Sequence, residues 1–180
     1  MTIDVSAGQP HAALIVLGGL PGTGKTTIAR ALAAVTGAVH LRIDSIEAAL
    51  RAGGVENIAD MGYRVAYAIA EDNLRLGRRV IADSVNPLTI TREAWRQVAA
   101  RTGVEAIEVE ITCSSTNEHR RRIETRVNDI AGRPLTWEDV LSREYDVWND
   151  GPHLVVDTSQ DDLTRSLNRI RELIERSADS

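Results

Sequence analysis

One stretch constrains this chain more than any other: Gly19-Leu20-Pro21-Gly22-Thr23-Gly24-Lys25-Thr26-Thr27, a G-x-x-x-x-G-K-[ST] pattern. The apolar run 12–17 before it reads as a buried strand, and Ile28-Ala29-Arg30-Ala31-Leu32-Ala33-Ala34 after it reads as a helix. Strand, glycine-rich turn and helix are the context that gives the pattern physical meaning. Successive backbone N–H groups of such a loop form an anion-binding concavity, and the helix N-terminus adds partial positive charge. Glycines at 19, 22 and 24 let the backbone approach a phosphate closely. Lys25 is spaced to reach β- and γ-phosphates and the Thr26 hydroxyl to ligate Mg²⁺, so residues 19–27 read as a nucleotide-phosphate cradle. Lys25 is also the sole lysine in a chain with twenty arginines. A compact ammonium suits this position better than a guanidinium does.

The remainder alternates short apolar runs with helical patterns. Val39 to Ile43 reads as a second strand ending at Asp44-Ser45, either of which suits the cap of a short helix through Arg51, stopped at Gly53-Gly54. A helical pattern over about 58–76 closes at Gly77, and Val80-Ile81-Ala82 is a third strand ending at Asp83. Asn86-Pro87 breaks the chain before a helix from Thr91 to Gly103, and Val104 to Thr112 alternates apolar and polar residues as a fourth strand. An arginine-dense helix, Asn117 to Ile130, is interrupted at Gly132-Arg133-Pro134, and Thr136 with Asp139 stands near capping-box spacing. Leu154-Val155-Val156 is a fifth strand ending at Asp157, followed by an amphipathic helix from about Asp161 to Arg176. This alternation implies an α/β fold with a parallel sheet covered on both faces. The absence of repeats and linkers implies one domain, 1–180. Such sheets bind ligands at the carboxyl ends of their strands. Asp44, Asp83, Asn86 and the loop around Gly22 stand there.

Composition removes several classes of function. A formal net charge of −5 offers no global case for nucleic-acid binding, and 3% aromatic residues with no phenylalanine leave a base-stacking binder little support. A single cysteine, Cys113, excludes an internal disulfide and a cysteine metal cluster. The four histidines lack metal-ligand spacing and are expected at the surface or at strand edges; the three tryptophans are expected in core or hinge packing. No apolar run approaches the roughly 20 residues of a membrane span. The polar start, 1–11, lacks a leader pattern, so the expected location is cytoplasmic.

Three features outside the loop bear chemistry, each with a plainer reading beside it. Asp83 ends an apolar strand, as an acid that holds Mg²⁺ against phosphates does, and it would equally serve as a turn or capping residue. Asp44, at the second strand end, suits the base that accepts a hydroxyl proton during transfer, or a helix cap. Arg122 and Arg126 stand four apart within the densest positive run, and on a helix they share a face. They suit a mobile lid that neutralises charge on a transferring phosphoryl, or a solvated face paired with Glu118 and Glu124.

Together, the loop, the Asp44 strand end, Val80-Ile81-Ala82-Asp83 with Asn86, and Arg122/Arg126 resemble the small AAA_33-like P-loop kinases. That group includes gluconate and shikimate kinases, adenylylsulfate kinase, chloramphenicol phosphotransferase, polynucleotide kinase and the zeta-toxin kinases. Ile43-Asp44-Ser45-Ile46 is similar to the strand-end Asp-Ser of chloramphenicol phosphotransferase, and Asp83-Ser84-Val85-Asn86-Pro87 to the Asp-x-x-Asn-Pro turn of polynucleotide kinase. The resemblance, over about residues 12–176, implies a three-layer P-loop NTPase fold. Its five parallel strands would run in order 2-3-1-4-5, with a helical lid over about 117–145. It implies ATP and Mg²⁺ as partners, Lys25, Asp44, Arg122 and Arg126 as catalytic residues, and Thr26 and Asp83 at the metal. One departure concerns the acceptor. Many relatives carry arginine three residues after the Asp44 equivalent, where this chain has Glu47. An acid there argues against a strongly anionic acceptor unless Arg42 or Arg51 compensates. The expected acceptor is therefore a neutral or cationic hydroxyl compound of sugar, nucleoside or antibiotic type. Its wall is expected in Arg51, Tyr63 and Tyr67, with Asp44 and Asn86 alongside.

Two other functions compete with a small-molecule kinase. An NTP-hydrolysing switch is one, although no Asn-Lys-x-Asp guanine signature is present. A nucleotide- or polynucleotide-end kinase using Arg120 to Arg122 is the other, and it would bind oligonucleotides with a steep salt dependence.

Overall fold

In the computed structural model, which describes residues 11–127, 129–130 and 133–178, five strands form one parallel sheet in the order β2-β3-β1-β4-β5. The strands are β1 (Leu14–Gly18), β2 (Val39–Arg42), β3 (Val80–Asp83), β4 (Ala106–Thr112) and β5 (Leu154–Asp157). The helices are α1 (Lys25–Thr36), α2 (Ile43–Ala52), α3 (Met61–Arg75), α4 (Thr89–Thr102), α5 (Thr116–Thr125), α6 (Trp137–Leu141) and α7 (Leu163–Ala178). Strand number, order and direction are as the resemblance implied.

Strand side chains alternate between faces, and the two cores follow from that. Ile15 and Leu17 of β1 join Ile81, Ile107, Val109, Ile111 and Val156 under α1 and α7. Leu14 and Val16 point the other way, with Val80 and Ala82, into Ala66, Ala70, Trp95 and Val98 of α3 and α4. The polar residues of β4 are not a solvent face. Glu108 is buried and paired by Arg96, and Glu110 accepts a hydrogen bond from the Tyr145 hydroxyl at 2.9 Å.

Two local readings change. The helix after β2 starts at Ile43, so Asp44 lies in its first turn and caps nothing; the N-cap position is Arg42. A carboxylate there is favoured by the helix dipole without a capping bond. Helix α5 ends at Thr125, where Arg126 turns extended at φ −64°, ψ 129°, so Arg122 and Arg126 do not share a helical face. Gly132, at the expected break, lies outside the described residues. Thr136 and Asp139 do form a reciprocal capping box. Among the described residues no helix is long and apolar enough to cross a membrane.

A buried arginine fixes the return of the chain before β5. Arg92 is fully buried, pairs with Asp150 at 2.8 Å and lies 5.0 Å from the Trp148 ring centre. Arg96 bridges the same Asp150 to Glu108. Burial works to raise the Asp150 carboxyl, and the hydrogen bonds from Arg92 and Arg96 outweigh it, holding the group at about 2. Its folded pKa thus lies below the unfolded value of roughly 3.9. The stability it contributes is full above that value and is lost as pH falls through about 2. Urea unfolding of Asp150→Asn should show a deficit against wild type above pH 4 that narrows steadily toward pH 2.

Asn86 is a second buried tie. It sits at φ 47°, a left-handed conformation that asparagine tolerates, donates to the Leu17 carbonyl at 2.8 Å and accepts from Trp95 Nε1 at 3.1 Å. Asn86→Ala leaves both partners bare, so the urea midpoint should fall by the equivalent of roughly 2 kcal/mol or more at unchanged slope.

Candidate active site

The glycine-rich loop joins β1 to α1 at the carboxyl end of the central strand. Its shape is enforced by what surrounds it. Gly19 has φ +133°, and a Cβ there would run into the Ile111 carbonyl oxygen; Gly22 has φ +84°, and a Cβ there would meet Ile123 Cδ1 at 2.6 Å. Lys25 Nζ donates to the Leu20 carbonyl at 2.8 Å, and Thr23 Oγ1 donates to the same oxygen at 2.9 Å. Burial pushes the Lys25 ammonium down to about 8, against Asp83 and Asp44, whose charges raise it.

A cavity of about 720 Å³ opens above the loop. Pro21, Gly22, Gly24, Lys25, Thr26 and Thr27 line it from below, while Gly19, Leu20 and Thr23 shape the loop from behind. Asp44, Asp83, Arg122 and Arg126 all reach the same cavity. Asp83 is 3% exposed and fixed by His40 Nε2 at 3.1 Å from its Oδ2; it caps no helix, since the N-cap of α4 is Leu88. Asp44 is the opposite, with a side chain 56% exposed. Arg122 is bound to Glu118 at 2.8 Å, to Thr158 Oγ1 at 2.7 Å and to the Thr158 carbonyl at 3.0 Å. A glycine cradle that a side chain would fill, an ammonium, a hydroxyl and a buried carboxylate around one cavity fit a Mg²⁺-bound nucleotide phosphate.

Four expected acceptor residues are elsewhere. Arg51 pairs with Glu47 at 3.3 Å. The Tyr63 hydroxyl accepts from the Asn86 amide at 3.2 Å, and Tyr67 stands edge-on to Trp95 at 4.5 Å. None of these three, nor Asn86, lines the cavity. Polar tips beside apolar rings are as well suited to bury between helices as to face a ligand, and here the α3–α4 packing takes them.

The sequence reading missed several residues that do arrive. Arg30, Arg143, Asp129 and Thr158 line the cavity. Thr158 follows β5, so the strand-end rule applied to the fifth strand finds it; its hydroxyl donates to the Thr23 carbonyl at 2.7 Å. His119, expected at the surface, is buried with Nε2 at 2.7 Å from the Pro21 carbonyl oxygen and its ring edge-on to Trp137 at 5.1 Å. Among the described residues no group of three or more histidines, cysteines or acids could hold a metal ion.

The chain belongs to the AAA domain family AAA_33, whose model matches residues 14–143. No curated protein matches it. Its fold is that of P-loop kinases. A candidate kinase from Chloroflexus aurantiacus shares 25% identity at a TM-score of 0.70, over 94% of this chain and 100% of that one. The APS kinase CysC of Mycobacterium tuberculosis, solved with AMPPNP and APS, shares 20% at 0.66, over 92% and 97%. A gluconokinase from Sinorhizobium meliloti shares 18% at 0.63, over 93% and 95%.

The His119 contact holds α5 on the loop. His119→Ala removes it and leaves the Pro21 carbonyl without that partner. Amide hydrogen exchange should speed up across 116–125 while the β1 and β3 amides remain as protected as in wild type.

Proposed function

We propose that this protein is an ATP-dependent phosphotransferase that moves the γ-phosphoryl to a hydroxyl of a small molecule of sugar, nucleoside or antibiotic type. On this reading the chain is one kinase domain with its lid over about 117–145. The observation that carries it is the placement of Asp44. An exposed carboxylate unused as a helix cap opens on the same cavity as the phosphate loop, yet comes from a different strand end. Such a carboxylate would activate a water or a hydroxyl alike; the open volume beside it is what leaves room for an acceptor larger than water.

The roles follow from reach and charge. The loop amides and Lys25 bind the β- and γ-phosphates, with Lys25 protonated against them. Thr26 and Asp83 are the side chains that would hold Mg²⁺, which when bound supplies charge neutralisation between the phosphates. His40 keeps the Asp83 carboxylate turned toward the cavity. Asp44 accepts the acceptor's proton as its oxygen attacks, at the side of the cavity away from the leaving group. Arg122 and Arg126 bring two guanidiniums to the transferring group, where charge spreads over its oxygens. Arg122 is pre-positioned by Glu118 and Thr158, so it does not pay for ordering when a nucleotide arrives. Kinases of the same fold, one solved with a nucleotide analogue and its acceptor, support this reading.

Radiolabelled transfer from ATP across hydroxylated metabolites and antibiotics identifies the acceptor. With it in hand, Asp44→Asn should cut transfer by roughly 10²- to 10⁴-fold while ATP affinity stays near wild type, and Lys25→Ala should lose both. Loss of ATP binding in Asp44→Asn would move that acid to the metal. Hydrolysis outrunning transfer to every acceptor would make the protein an NTPase switch.

A further inference from the structure

One carboxylate inside the cavity is held by arginines rather than exposed for chemistry. Asp129 receives a two-pronged grip from Arg42, Nη1 to Oδ2 at 2.7 Å and Nη2 to Oδ1 at 3.1 Å, and a further bond from Arg30 Nη2 at 2.7 Å. Arg126 stands 3.8 Å away. Arg30 belongs to α1 and Arg42 to the end of β2, so both are parts of the scaffold, whereas Asp129 comes from the segment after α5. Arg42 is 7% exposed, and its Nε has no hydrogen-bond partner among the described residues. Burying a guanidinium is costly unless it is paired, and its planar fork matches two oxygens of a carboxylate or phosphate. The bonds from Arg42 and Arg30 hold the Asp129 carboxyl well below the usual carboxylate range.

We propose that Arg30 and Arg42 form an anion subsite for the acceptor, and that Asp129 occupies it as an internal stand-in that the acceptor displaces. The inference rests on the phosphotransfer reading and adds the chemical class: a hydroxylated molecule that also carries a carboxylate or a phosphate. Location supports it. Arg42 Nη2 lies 3.9 Å from Asp44 Oδ2, so an oxyanion seated on Arg42 places the adjoining part of its own molecule beside the proposed base. Charge supports it as well: Arg30, Arg42 and Arg126 converge on Asp129, and the other carboxylate paired with any of the three among the described residues is Asp44, 3.9 Å from Arg42. The sequence argument from Glu47 against an anionic acceptor does not survive the structure. Glu47 bonds Arg51, packs its stem against Gly62 and does not line the cavity. Of the two arginines that could offset it, Arg42 faces the cavity and Arg51 does not.

The competing account is a plain ion pair that only fastens the segment down. Calorimetry on the full chain with ADP present separates the two, using gluconate, glucose 6-phosphate and glucose as probes against wild type and Asp129→Asn. With the internal carboxylate neutralised, the charged probes should bind at least about 10-fold tighter than to wild type. Glucose should show no gain, and adding Arg42→Met should erase the gain of the others. A gain for gluconate alone assigns a carboxylate; one for glucose 6-phosphate alone assigns a phosphate. Equal affinities in the two proteins, or an equal gain for glucose, overturn the proposal. Asp129→Ser carries the same comparison if Asp129→Asn folds poorly, and ADP affinity reports folding in each. ATP-dependent transfer to neutral acceptors without any anion gain would sink this proposal and leave the kinase reading standing. An anion gain with no transfer to any acceptor would overturn the kinase reading and, with it, the assignment of this anion site to an acceptor.

Discussion

A loop that turns its amides toward an anion turns its carbonyls toward the protein, and each of those carbonyls needs a donor. Much of this structure can be understood as the supply of those donors. The Leu17 carbonyl takes Asn86, at the turn after β3. The Leu20 carbonyl takes Lys25 and Thr23 from the loop itself. Pro21 is met by His119 of α5 and Thr23 by Thr158 after β5. The amide of Gly19 is spent on Val85 in return. Three separate segments thus converge on one short turn because its backbone would otherwise be unsatisfied in a buried place. The cradle is the product of the fold around it, and the glycines only permit it.

That dependence explains what could be read from the sequence and what could not. The five strands were legible from short apolar runs and, over Val104 to Thr112, from apolar–polar alternation, while their order came from the family resemblance. That Thr26, Asp83, Asp44 and Arg122 would meet at one cavity was legible because a strand end or a motif position can be located by counting. His119 was not, since nothing local distinguishes a histidine that meets a carbonyl 98 residues away in sequence from one on the surface. Tyr63, Tyr67 and Asn86 show the same limit from the other side: the hydrogen bonds that draw them away from the cavity, to backbone groups and to Trp95, come from other segments of the chain. The end of α5 was misplaced because arginine-rich sequence favours helix throughout, whereas the chain leaves it at Arg126.

Arginine abundance also sets the character of the cavity. Arg30, Arg42, Arg121, Arg122, Arg126 and Arg143 line it, faced by Asp44, Asp83, Asp129, Asp161 and Asp162. In a chain whose net charge is −5, the positive groups are concentrated where phosphates are expected. Asp129 holds Arg30 and Arg42, and Glu118 holds Arg121 and Arg122, at the distances of direct hydrogen bonds, which keeps that concentration tolerable before any anion arrives. Arg122, tied to Glu118 and Thr158, illustrates the gain: its long side chain is ordered in advance.

The segment above the cavity is attached by two kinds of contact that differ in how readily they exchange. Ile123 packs on Gly22, and His119 sits between the Pro21 carbonyl and the Trp137 ring. Those contacts are buried and specific to this chain; a soluble ligand offers nothing equivalent. Asp129 is bound by charge to groups that any oxyanion can satisfy, with its side chain 38% exposed to water that screens the pair. A ligand therefore competes with the second attachment and not with the first. The anchor at α5 holds Arg122 beside the phosphate loop, while the contact with Arg30 and Arg42 is the one that the proposed acceptor would trade away. Fixed nucleotide geometry and an exchangeable acceptor side are what transfer to a chosen hydroxyl requires, and the two kinds of contact divide along that line.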